Sequence, residues 1–179
     1  MEDFSEVKEF FEKLIKEKIK RTRKPKFDLK ETYLSRLGDL PGSKIFQNTF
    51  FKVENELIDF TKGGALSCAA VVSNFLFMFN KYPDFIWIKN AHVTVESILT
   101  DLKECGWHEV IDFRLGSVLI WEPKFKISDG QDHRNVGFKW VGNLAISNDP
   151  DGNIPIFHDL YFYGTRNVEK IFWHHALNY

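Results

Sequence analysis

Phe4, Val7, Phe11, Leu14, Ile15 and Ile19 recur at steps of three and four residues, which lays one apolar stripe along a helix from about residue 4 to residue 20. Phe27 to Asn55 is mixed, with Gly38 and a Pro41-Gly42 turn signal, and is expected to form a helical arm against the main body. After Gly63-Gly64, the stretch Ala69 to Phe79 is apolar on nearly every side, so it predicts a helix buried on nearly every side. Val95, Ile98, Leu99 and Leu102 share one face of a second helix, with Thr94 and Ser97 together to start it and Gly106 to end it. Beyond Trp107 the period shortens. Ser117–Trp121, Asn135–Val141, Leu144–Ser147, Pro155–Tyr163 and Val168–Trp173 read as strands, and Gly142-Asn143 as a hairpin turn. Helices first and about five antiparallel strands later predict an α+β fold.

Length and composition narrow the class. At 179 residues, 44% hydrophobic and 16% aromatic, the chain fits one folded domain and excludes a disordered one. We read residues 1–55 as the N-terminal helical arm and 56–179 as the core. A net charge of −1 provides no global field to select nucleic acid. The exception is local: Lys16 to Lys26 carries seven basic residues and one acid, read either as a solvated helix end or as a contact for an acidic partner. No apolar run reaches the roughly 20 residues of a membrane span. The acidic start, Met1 to Asp3, is not followed by an apolar leader, which predicts a cytoplasmic location with export left open.

Two cysteines cannot build a disulfide framework or a four-thiolate zinc site. The six histidines make no i,i+4 pair, and neither a phosphate-binding loop nor a dinucleotide fingerprint occurs, so no metal and no cofactor are expected.

Cys68 is the first candidate for chemistry. It follows the Gly-Gly turn and opens the apolar helix, where unpaired N–H groups favour a thiolate, the reactive form. The plain alternative is a small buried hydrophobe. Cys105, at the end of the second helix, has no such setting.

Three segments fall in order: Gly64-Ala-Leu-Ser-Cys68-Ala-Ala-Val-Val-Ser73, Leu115-Gly-Ser-Val-Leu-Ile-Trp121-Glu, and Val136-Gly-Phe-Lys-Trp140-Val-Gly-Asn143. Together they resemble the NlpC-type papain-like cysteine peptidases and their CHAP amidase relatives over about residues 63–173. The resemblance implies a papain-like arrangement, with the Cys on a buried helix packed on the sheet. It also implies hydrolysis of amide bonds in a peptide or cell-wall-type substrate by a Cys–His pair aided by a third polar residue.

In that family the histidine precedes the Val-Gly pair, and here the position is Asn135. His133 lies two residues upstream, about 6.6 Å along a strand. Three readings stand: a bulge brings His133 into the base position, or Asn135 marks a weakened or inactive relative that binds without cleaving, or a His-to-Asn change has been made to trap a state. Asn148 aligns with the orienting residue and would fix the imidazole, or else it opens the turn before Asp149-Pro150. His158 is read as lining the cleft or as a core histidine satisfied by Asp159. The aromatics are mostly core, with Trp121 and Trp140 as candidates to rim a substrate groove. Acyl transfer on the same nucleophile stays open beside hydrolysis.

Overall fold

A computed structural model describes residues 9–10, 12–14, 26–82, 85–126, 131–148 and 153–178. Residues 9–10 and 12–14 are helical. The rest of the predicted 4–20 helix, and all of the basic stretch except Lys26, lie outside the described residues.

The elements run α1 (Leu29–Gly38), β1 (Phe50–Val53), β2 (Glu56–Asp59), α2 (Cys68–Phe77), α3 (Val95–Glu104), β3 (Trp107–Val110), β4 (Val118–Lys126), β5 (Gln131–Lys139), β6 (Leu144–Asn148), β7 (Pro155–Asp159) and β8 (Val168–His174). The fold is α+β. Its main sheet has six antiparallel strands in the order β3-β8-β4-β5-β6-β7, one more than expected, and β1-β2 form a separate hairpin. That hairpin turns on Glu54 and Asn55, both in the left-handed region at φ 49° and 78°. No helix among the described residues is long and apolar enough to cross a membrane.

Each helix carries a local reason for its ends. Asp28 caps α1 by accepting from the Glu31 N–H at 2.9 Å. Thr94 caps α3, and Gly106 leaves it at φ 87°, a conformation a side chain would strain. The sequence CAAVVSNFLF in α2 has no charged residue, so burial rather than capping holds that helix.

The sheet divides the interior. On one face Val118, Ile120, Val136, Phe138, Ile146 and Phe172 pack with the helices around Tyr33, whose ring lies 5.4 Å from those of Phe75, Phe79 and Trp87. The Tyr33 hydroxyl donates to the Gly116 carbonyl at 2.8 Å, so this buried phenol is satisfied. On the opposite face Leu119, Trp121, Ala145, Leu160 and Ile171 form a smaller core. Strand alternation thus commits odd and even positions of β4 and β5 to different chemistry.

Candidate functional site

Cys68 is the first residue of α2, and the loop before it is fixed from two sides. Gly63 and Gly64 take φ 64° and 101°, and a Cβ on Gly64 would stand 2.2 Å from the Asn153 carbonyl oxygen, so only glycine fits there. The Asp59 carboxylate accepts from the Thr61 hydroxyl at 2.6 Å and the Gly63 N–H at 2.7 Å. The Thr61 bond foremost, with the backbone N–H groups of Gly63 and Thr49, holds its pKa well below the usual carboxylate range. From the other side Asn148 Nδ2 donates to the Gly64 carbonyl at 2.8 Å. The expected imidazole-orienting residue therefore pins the cysteine loop to β6.

Burial pushes the Cys68 thiol up. Backbone hydrogen bonding from Val136 and Ala69, with the Arg166 charge, opposes that rise without overcoming it. The residue is half-buried.

Asn135 precedes Val136 on β5. It is buried, its Oδ1 accepts from the Val136 N–H at 3.0 Å, and its Nδ2 donates to Ser147 Oγ at 3.0 Å. Ser147 Oγ meets His158 Nε2 at 2.8 Å, and His158 Nδ1 meets the Asp159 carbonyl at 2.8 Å. A carbonyl only accepts, so Nδ1 carries a proton, and in that tautomer Nε2 is the acceptor for the Ser147 hydroxyl. The hydroxyl donates to His158 and accepts from Asn135. Three adjacent strands, β5, β6 and β7, thus share one buried polar chain. His158 stacks on Phe162 at 3.9 Å and sits 5.5 Å from Trp121, which makes it a core histidine, satisfied by the Asp159 main chain and by Ser147.

The anticipated bulge exists, but its extra residue lies in β4. Trp121 pairs with Asn135 and Lys124 with His133, so three steps along β4 match two along β5. Pro123, which cannot donate to a ladder, lies in that irregular stretch. His133 and Asn135 therefore keep their separation, and the bulge does not carry His133 into the Asn135 position. The His133 carbonyl instead accepts from Arg166 Nη2.

Trp121 is fully buried and donates Nε1 to the Leu160 carbonyl at 2.8 Å, so it cannot rim a groove. Trp140 lines an open hollow with Phe113, Leu115, Val141 and Tyr161, whose walls do not include Cys68. Cys105 donates to Asp101 Oδ1 at 3.3 Å, and burial together with that carboxylate pushes its pKa up to about 11, a poor nucleophile at neutral pH.

Two participants carried no sequence signal. Ser147 owes its place to register, since Gly137 pairs with Ser147 and puts it diagonally across from Asn135. Arg166 reaches back from the turn before β8, donating Nε to the Glu122 carbonyl at 2.8 Å, with its guanidinium carbon 5.8 Å from the Phe162 ring centre.

Fold and site define an α+β protein with a cysteine at the start of a buried helix and a buried Asn135–Ser147–His158 chain across three strands. No protein-family model, curated protein or solved structure matches the chain.

Proposed function

We propose that this protein is a catalytically weakened relative of the papain-like cysteine hydrolases that binds a peptide-type ligand beside Cys68 rather than cleaving it. One observation carries the reading: the residue before the Val136-Gly137 pair is Asn135, a buried amide already committed to Ser147 and Val136. An amide takes no proton near neutral pH. A positioned base contributes about 10²- to 10⁴-fold, and its loss leaves a thiol with a raised pKa to act unaided.

Amide hydrolysis is the second reading, favoured by the place of Cys68 at the start of α2, where unpaired N–H groups stabilise negative charge. Acylation of Cys68 by p-nitrophenyl acetate, followed by mass spectrometry and product release, separates the two. Binding without cleavage predicts slow acylation and no Cys68-dependent turnover in the natural chain, with at least a hundredfold faster acylation at pH 7 in Asn135→His. Rapid turnover in the natural chain that Cys68→Ser abolishes overturns it.

A further inference from the structure

The β1-β2 hairpin belongs to neither core, and its strands are exposed along almost their whole length. Phe50, Phe51, Val53, Leu57, Ile58 and Phe60 each keep between 40% and 70% of their surface in water. Strand alternation puts Phe51, Val53, Ile58 and Phe60 on one face, where the Phe51 and Phe60 rings meet edge to face at 4.8 Å. Phe50 and Leu57 lie on the other face with Lys52 and Asp59. A two-stranded ribbon is marginal in water by itself, and so much apolar surface on so short an element marks a place of contact.

The two edges of the ribbon differ. The Phe60 N–H donates to the Thr49 carbonyl at 2.9 Å, which sets the phase of the ladder: Phe51 and Val53 bond inward to β2, and the N–H and C=O groups of Phe50 and Lys52 point outward. Those four groups have no hydrogen-bond partner among the described residues. On the β2 edge the Asp59 carbonyl already accepts from the Lys62 N–H at 3.3 Å. The open edge is β1. A strand pairs antiparallel with its own copy, both keeping the same face, when the two-fold axis passes at a residue. An axis at Lys52 sets two ammonium groups opposite each other, which is destabilising. An axis at Phe51 sets ring against ring and places Lys52, the one charge of β1, opposite Phe50 of the second copy. Only this register suits both charge and backbone: Phe50 and Lys52 exchange their free N–H and C=O groups across the seam, and Phe51 takes the closer, non-hydrogen-bonded position.

We propose that β1 is a self-association edge, through which two copies of the chain pair antiparallel over residues 49–53 about an axis at Phe51, joining two hairpins into one sheet. So short a seam belongs to the small, exchanging class of interfaces. The pairing stands or falls independently of the chemistry at Cys68.

Sedimentation equilibrium of the whole chain is expected to show a monomer–dimer equilibrium with a dissociation constant of about 10–100 µM. Phe51→Lys, which puts like charges on the axis, is expected to raise that constant at least about tenfold, and Leu57→Lys, the same change away from the seam, to leave it within about twofold. A second measurement does not depend on how Phe51→Lys folds. In a Cys68→Ser, Cys105→Ala chain, Phe51→Cys brings two thiols face to face, at a separation of about 4.5 Å between Cα atoms that a disulfide spans. In a glutathione redox buffer it is expected to form a covalent dimer at least about tenfold faster than Leu57→Cys in the same background. A chain that stays monomeric at about 500 µM, as it does if the hairpin serves another partner, overturns the proposal. So does a dimer that Phe51→Lys leaves intact, equal rates of cross-linking by the two cysteine variants, or a ladder of larger oligomers, which needs the β2 edge as well.

Discussion

Ser147→Ala removes the centre of the buried chain between Asn135 and His158, and the structure states what is left behind. The hydroxyl accepts from Asn135 Nδ2 at 3.0 Å and donates to His158 Nε2 at 2.8 Å, and all three residues are buried. Without it, two polar atoms in low dielectric lose this partner, and an unmade buried hydrogen bond costs about 1–3 kcal/mol. The expected loss is therefore roughly 2–6 kcal/mol, a large fraction of the ~5–15 kcal/mol typical of a domain. Five tryptophans make urea unfolding by fluorescence a direct assay, read as a shifted midpoint at constant slope. Ser117 supplies the control: its buried Oγ has no hydrogen-bond partner among the described residues, so Ser117→Ala should be neutral or mildly stabilising. In an Asn135→Ala background, Ser147→Ala should cost at least about 1 kcal/mol less than in the natural chain, because one bond is already gone. A Ser147→Ala penalty under about 1 kcal/mol, or one matched by Ser117→Ala, refutes the reasoning.

Other outcomes follow from single contacts. Gly137→Ala puts a Cβ 2.3 Å from the Ile146 carbonyl and 2.6 Å from Ser147 Cβ, backbone and short side chain that cannot yield cheaply. Its urea midpoint should fall by at least the ~1–3 kcal/mol of an overpacked core. His174 is buried against Phe85, Trp87 and Trp107, and burial, with the neighbouring His175 next in weight, lowers its pKa to about 4. Its Nδ1 accepts from the Ala176 N–H at 3.2 Å, a bond that protonation removes. The unfolded chain binds this proton first, so stability is fully present above pH ~6.5 and is lost as pH falls toward ~4, by up to about 3 kcal/mol. His174→Gln should flatten that part of the pH–stability curve relative to the natural chain, and unchanged slopes reject the assignment. Asp101 accepts from His92 Nε2 at 2.6 Å and from the Lys89 and Asn90 N–H groups, so Asp101→Asn should loosen the 89–92 segment and speed Cys105 labelling several-fold, read by mass spectrometry.

Patterns with strong periods were legible along the chain. The all-apolar run gave α2, the spaced Val95, Ile98 and Leu102 gave α3, and β-branched runs gave β4 to β8. The β1-β2 hairpin was not, because its Glu54-Asn55 turn lacks the glycine that usually marks such a conformation. Nor was β3, four residues of which only Trp107 is buried, too short for alternation to register. Within the site, Cys68 and Asn135 were found by position along the chain. Asn148 was read as the orienting residue from linear order, which does not show which strand neighbour shares a face with Asn135. Pairing of Gly137 with Ser147 decides it, and Asn148 turns to the Gly64 carbonyl instead. Arg166 was invisible for the same reason: a loop arginine becomes part of a site only when the fold brings its turn across β4 and β5.

The rate of Cys68 alkylation by iodoacetamide as a function of pH, in the Cys105→Ala chain, tests most directly whether the thiol stands without a base. The account predicts a rate still climbing above pH 9, beyond the ~8.5 of a free thiol, because burial outweighs the donors around the sulfur. A rate that levels off below pH 7, showing a thiolate already formed at neutrality, contradicts it.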